Sequence, residues 1–191
     1  MNRFDKDAIT WDDLPRRVEL AKAVVNNVKD FVKDKNILEF GCGTGLVGIN
    51  LAEYAKSVLG IDTSQKMVEK FNEKAKKLNL NAQAKVLDIF DINETFDVVI
   101  SSMTIHHIKD IKKLSSKLKE ITNEVFIADL VKEDGTFHTR GNDDVMHFGF
   151  SLDELKEYFD GWEMDYKIIH TVKKHKDFDI FLIHLKDTQA T

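Results

Sequence analysis

Three glycines at alternate positions, Gly41-Cys42-Gly43-Thr44-Gly45, follow directly on the apolar run Asn36-Ile37-Leu38-Glu39-Phe40. Glycine tolerates positive φ and lets backbone approach a ligand closely, so this turn is suited to cradling a nucleotide-like molecule. The spacing is Gly-x-Gly-x-Gly. A dinucleotide fingerprint, Gly-x-Gly-x-x-Gly, needs its third glycine where Leu46 stands, which argues against a pyrophosphate. Glu39 adds a carboxylate at the end of the first strand, a poor neighbour for pyrophosphate and a good one for a cation. Asp62 closes the next apolar run, Ser57-Val58-Leu59-Gly60-Ile61, where a carboxylate can accept both hydroxyls of a ribose. Together these residues imply a nucleoside ligand.

The elements that must position them alternate in period. Leu14, Val18, Ala21, Val25, Val28 and Val32 recur every three or four residues, predicting a long amphipathic helix that ends near Asp34-Lys35. Strands are expected at 36–40, 57–61, 84–87, 96–100 and 124–128, with helices at 46–54, 65–77, 110–121 and 151–159. The closing pair, 166–172 and 178–184, is joined by too few residues for a crossover and must be antiparallel. The expected fold is α/β: a doubly wound, Rossmann-like, seven-stranded and mostly parallel sheet with a C-terminal antiparallel hairpin and helices on both faces.

With 191 residues, 42% of them hydrophobic and 32% charged, the chain suits one soluble globular domain spanning 1–191. Within it, 1–34 reads as an N-terminal helical lid and 129–150 as a substrate-side insertion. A net charge of −5 disfavours a general nucleic-acid partner. No window is apolar enough for a membrane span, and the lone Cys42 cannot form an internal disulfide, so a cytoplasmic location is expected. Oligomeric state cannot be read from the sequence.

The segment Ile37 to Gly45, and Gly60-Ile61-Asp62-Thr63-Ser64 followed by Met67, resemble the first and second motifs of class I S-adenosylmethionine-dependent methyltransferases. A closer likeness is to small, little-characterised bacterial and archaeal members, carried by Ala8-Ile9-Thr10-Trp11-Asp12, by Glu133 to His138 and by His147-Phe148-Gly149-Phe150. The resemblance implies S-adenosylmethionine as cofactor, held by Glu39, Phe40, Gly41, Cys42, Gly43, Gly45, Asp62, Thr63 and Met67. It also implies that Asp88 and Ile89 read the adenine and that Ser101 to Met103 line the methionine half. Thr122-Asn123 stands where such families carry a Pro-Gly-Gly turn, a departure that touches a turn and not the cofactor site.

The implied activity is in-line methyl transfer to a small-molecule N, O or C nucleophile. A nicotinamide-dependent oxidoreductase of the same fold, or a non-catalytic cofactor-binding module, are the alternatives. His107, His106 and His147 are the candidate catalytic residues, since a neutral imidazole beside the methyl group can act as general base. Adjacent histidines point in different directions, so His106 and His107 are not expected to act alike. His138 and His147 could be drawn with Asp129, Glu133, Asp134 and Asp143 or Asp144 as a metal site. Their spacing is not that of zinc ligands, and no metal is expected. Arg16 and Arg17 stand out in a lysine-rich chain as partners for a carboxylate of the cofactor, the substrate or the protein.

Overall fold

The computed structural model describes residues 3–139 and 141–188. Seven strands form one sheet: β1 (Asn36–Phe40), β2 (Ser57–Asp62), β3 (Ala82–Val86), β4 (Val98–Ser102), β5 (Glu124–Leu130), β6 (Trp162–Lys173) and β7 (Asp177–Asp187). Their order is β3-β2-β1-β4-β5-β7-β6. The first five are parallel, and β7 is antiparallel to both β5 and β6. The expected doubly wound sheet and terminal hairpin are therefore present.

Alternate strand residues feed two cores. Ile37, Val58, Val98, Ile100, Phe126 and Ala128 pack on one face with the helices α2 (Pro15–Val28), α3 (Gly48–Leu51) and α4 (Gln65–Lys77). Leu38, Phe40, Leu59, Val99, Val125 and Ile127 pack on the other with α5 (Ile111–Ile121) and α6 (Leu152–Tyr158). Each face buries an unbroken apolar set, as strands covered on both sides require. Local signals set the helix starts. Pro15 opens α2, Ser64 accepts the Met67 N–H ahead of α4, and Asp110 accepts the Lys113 N–H ahead of α5. Ser151 and Glu154 form a reciprocal capping box on α6.

Two expectations about helices need correction. The first long helix stops at Val28 and passes through a 3-10 turn (29–31), because the chain must reverse into β1 and does so with Asp34 at φ 59°. Ahead of it lie two further helical pieces, α1 (Arg3–Asp7) and a 3-10 segment (8–13), folded over the sheet's C-terminal edge. The helix expected over 46–54 contracts to the four residues of α3. Gly45 stands at φ 90°, outside helical space, and Gly48 must lie so close to β1 that a Cβ there would sit 2.3 Å from Glu39 Oε2.

Candidate functional site

Strand order reverses between β1 and β4, and the loops leaving the C-terminal ends of neighbouring strands diverge there to leave a crevice. A cavity of about 560 Å³ occupies this position, within the range of small-molecule sites. Its floor is the glycine turn and the ends of β1, β2 and β4; its walls include Met67, Ile89 and Phe90. Trp11, Arg17 and Leu20 from the N-terminal helices and Phe137 and His138 from the segment after β5 complete the lining.

The glycine turn is built for close approach. Gly41, Gly43 and Gly45 all have positive φ, at 65°, 52° and 90°. At Gly43 an added Cβ would meet nothing nearer than Met67 Sδ at 3.9 Å and Trp11 Nε1 at 4.0 Å, so the backbone there faces open cavity. At Gly41 the space is already filled, and a Cβ would lie 2.1 Å from Thr104 Oγ1. Asp62 accepts the Gly43 N–H on Oδ2 and the Ser64 N–H on Oδ1, both at 2.9 Å. These bonds fix the carboxylate beside the turn while leaving each oxygen a second lone pair. Burial raises the Asp62 pKa, and the Ser64, Gly43 and Thr63 amides oppose that rise. The turn therefore presents exposed backbone beside a fixed acceptor pair, which fits an adenosyl ligand.

Glu39 is only 2% exposed and lies beneath the turn against Gly48, with Oε2 buried and unpartnered. Burial pushes its pKa up to about 8; the Gly48 amide lowers it in part and the Asp62 charge raises it further. At neutral pH this side chain is protonated unless a cation approaches. Cys42 is buried with its sulfur against Gly60, where a Cβ would fall 2.8 Å from Sγ. Its role is to fill that space, and burial holds the thiol un-ionised.

Of the sequence-predicted residues, Glu39, Phe40, Gly41, Cys42, Gly43, Asp62, Thr63, Met67, Asp88, Ile89 and Met103 line the cavity together. Asp88 also caps the 3-10 turn 89–91 by accepting the Phe90 N–H at 3.0 Å. Three candidates lie elsewhere. Gly45 packs into the core against Ile49 and Phe71. Ser101 is fully buried and donates to the Phe40 carbonyl, and its neighbour Ser102 takes the place in the lining. His147 bonds the Ile108 carbonyl through Nε2 and packs on Phe150 and Tyr158, outside the cavity, which corrects its placement as a catalytic residue.

His106 and His107 both face the cavity, from a 3-10 turn (105–107) and not from the helix start expected for them. Both contribute because a 3-10 turn and the curl of the following chain bring the rings together, centroids 4.1 Å apart. His138 joins them at 5.0 Å from His106. Burial, then His106, lowers the His107 pKa; burial, then His106 and His107, brings His138 down to about 4. Met103, which lines the cavity just before this turn, holds φ at 56°, a strained value for a side-chain-bearing residue.

The N-terminal pieces are tied over the opening. Thr44 Oγ1 donates to Asp12 at 2.5 Å, Lys74 pairs with Asp12, and Ser64 Oγ donates to Asp5 at 2.7 Å. Arg17 stacks on Trp11 at 3.5 Å and donates to its carbonyl, while Arg3 pairs with Asp144 in the segment after β5. Sequence reasoning missed Thr104, Phe90 and Phe4 as lining residues. None belongs to a motif, and only the loop paths bring them in.

Fold and site thus define a doubly wound α/β protein with a small-molecule crevice at the carboxyl ends of its parallel strands. A methyltransferase-domain family profile matches residues 37–124, which span the glycine turn and Asp62. The chain is 36% identical over 158 residues to an uncharacterized methyltransferase of Schizosaccharomyces pombe, covering 71% of this chain and 56% of that protein. It is 33% identical over 156 residues to a ubiquinone biosynthesis O-methyltransferase of Pelagibacter ubique, covering 69% and 64%. The chain therefore spans roughly three-fifths of the length of these two relatives. Among solved structures, a DhpI–SAH complex superposes with a TM-score of 0.76 at 19% identity, covering 97% of this chain and 94% of that one. Residues 37–124 thus match a methyltransferase domain, and the relatives together with the fold support a class I S-adenosylmethionine-dependent methyltransferase.

Proposed function

We propose that this protein transfers the methyl group of S-adenosylmethionine to a small-molecule nucleophile held at the histidine end of the cavity. The observation that carries this reading is the Asp62 carboxylate clamped by Gly43 and Ser64 N–H groups beside an open, left-handed glycine turn. Asp62 is assigned to the ribose hydroxyls, Asp88 and Ile89 to the adenine, and Ser102 and Met103 to the methionine half. Glu39, protonated when no cation is near, supports the same assignment by lying where the ligand's positive end would stabilise its ionised form.

When bound, the cofactor supplies a methyl group already activated by its sulfonium. The chain's own task is to hold the acceptor in line with that carbon and keep water out. Such positioning is worth about 7–11 kcal/mol of barrier, well beyond a single general base. Trp11, Leu14 and Leu20 give the cavity an apolar roof, and His107, neutral at pH 7, can take the acceptor proton. Arg16, Arg17 and Lys174 also line the cavity, which favours an acceptor bearing an anionic group. The likeness to a ubiquinone biosynthesis O-methyltransferase supports oxygen as the acceptor atom.

Calorimetry tests the reading. S-adenosylhomocysteine should bind the full chain at micromolar concentration and NAD should not. No heat with the former overturns the proposal. Release of S-adenosylhomocysteine in a screen of phenols, amines and carboxylates separates an enzyme from a module that only binds the cofactor.

A further inference from the structure

The three histidines at the acceptor end have a hydrogen-bond pattern that a packed aromatic cluster does not need. Asp129, at the end of β5 and wholly buried, accepts the Leu130 N–H on Oδ1 and the His106 N–H on Oδ2. Both oxygens act as acceptors, so the 2.7 Å contact to His106 Nδ1 has the ring nitrogen donating. Nδ1 therefore carries a proton, and in the neutral ring the lone pair falls on His106 Nε2, which is buried and without a partner. His107 Nδ1 lies 2.7 Å from the Asp144 carbonyl. A carbonyl can only accept, so here too Nδ1 carries a proton, and in the neutral ring, which burial favours, the lone pair is on Nε2. His138 adds Nδ1, also buried and unpartnered.

One ring nitrogen from each of the three histidines lies within 4.8 Å of the other two. Ring nitrogens that converge in a buried space without polar partners have lost their hydration and gained nothing in exchange. A single cation at their meeting point would satisfy all of them. The outer partners are those that metal-bound histidines take: a carboxylate on one ring and a backbone carbonyl on another, each fixing tautomer and orientation.

We propose that His106, His107 and His138 form a site for a borderline divalent transition metal of the zinc type, with Asp129 as the positioning residue and a coordination position open to the cavity. Three neutral imidazoles suit zinc and its neighbours and do not suit magnesium or calcium, which take oxygen ligands. Zinc nitrogens at about 2.0–2.1 Å in a tetrahedron stand about 3.3 Å apart, so the rings draw together on loading. Resting on the proposed methyl transfer, the open position would take the acceptor oxygen. The metal would lower that oxygen's pKa so that its proton passes to solvent as it binds and the anion attacks the methyl carbon, with His107 then a ligand in place of a base. Sequence spacing gave no hint of the site, because its ligands are an adjacent pair and a distant third residue.

The test uses the full chain stripped with chelator and titrated with cobalt(II) and zinc(II), with magnesium as comparator. One equivalent of cobalt should bind with a tetrahedral visible spectrum, and zinc should displace it. His138→Ala and His107→Ala should each weaken binding at least tenfold, Asp129→Asn by 10- to 100-fold, and His170→Ala not at all. S-adenosylhomocysteine is titrated into the parent on the same samples, and the circular dichroism spectrum of His138→Ala should match the parent's, which reports an intact fold. His138→Ala decides the matter if a buried variant does not fold. Absence of cobalt and zinc binding, or binding indifferent to both histidine substitutions, overturns the site whatever the cofactor does. Metal binding without S-adenosylhomocysteine binding retains the site and sinks the methyltransferase reading.

Discussion

The glycine end of the cavity draws on two short stretches, 39–45 and 62–67, and presents mainly backbone; the histidine end draws side chains from four separate parts of the chain. At the first, Asp62 is gripped by the amides of Ser64, two residues on, and of Gly43 in the neighbouring strand's turn, and three glycines supply the conformations that no other residue adopts cheaply. At the second, His106 depends on Asp129, His107 on Asp144, and His138 on a segment held by Arg3 from the N-terminal helix. On the proposed assignment, the difference teaches that the cofactor would be recognised by a local property of β-strand ends and the acceptor by the assembled fold. One end can stay constant while the other changes with its loops.

The sharpest way to break that comparison is Asp62→Ala. Two charge-assisted hydrogen bonds to a ligand are worth roughly 3–4 kcal/mol, so S-adenosylhomocysteine affinity should fall about 100-fold or more. Affinity within threefold of the parent would remove the ribose assignment. Next comes Glu39→Gln, read as stability against pH without ligand. The folded pKa of Glu39, about 8, exceeds its unfolded value of 4.5. Its contribution is therefore fully present below pH 4.5 and is lost as pH rises toward 8. The glutamine variant should melt close to the parent's temperature near pH 4.5 and gain roughly 4 kcal/mol over it by pH 8, with a flatter profile. A constant difference across that window would contradict the buried, protonated carboxyl.

Gly41→Ala places a Cβ against Thr104 at positive φ and should cost about 1–2 kcal/mol in denaturant melts, part of which Thr104→Ala restores. A silent Gly41→Ala would mean the turn is looser than described. Trp11→Ala removes the roof over Gly43 and its stack with Arg17, and S-adenosylhomocysteine titration should show affinity five- to tenfold weaker. The smallest effect is expected from His147→Ala, which loses the bond to the Ile108 carbonyl and should leave cofactor affinity within twofold while lowering stability by about 1 kcal/mol. A large loss of affinity there would return His147 to the site.

Much of the glycine end was legible because its signals are short-range. The order of strands and helices, the acidic strand ends and the cap residues Ser64 and Ser151 could be read one after another along the chain. Misreadings came where a neighbour in space overruled the local pattern. The apolar spacing of 46–54 is helical, yet Glu39 from β1 and the left-handed Gly45 leave only α3. Ser101 and Ser102 are indistinguishable in sequence, and β4's register against β1 decides which faces the cavity. His147 carried the same chemistry as His138 on paper. The backbone of its segment, bonded to the His106 carbonyl, turns the first away from the cavity while the second enters it.

The amino-acid sequence alone determined the parallel sheet, the reversal of strand order and the carboxylate beside a glycine turn, because these follow from hydrophobic period and from conformations that only glycine takes readily. Only the tertiary structure decided which side chains meet at the acceptor end. Convergence of His106, His107 and His138 depends on where β4, β5 and the chain after them finish in space, and contacts between such distant positions leave no periodic trace along the chain.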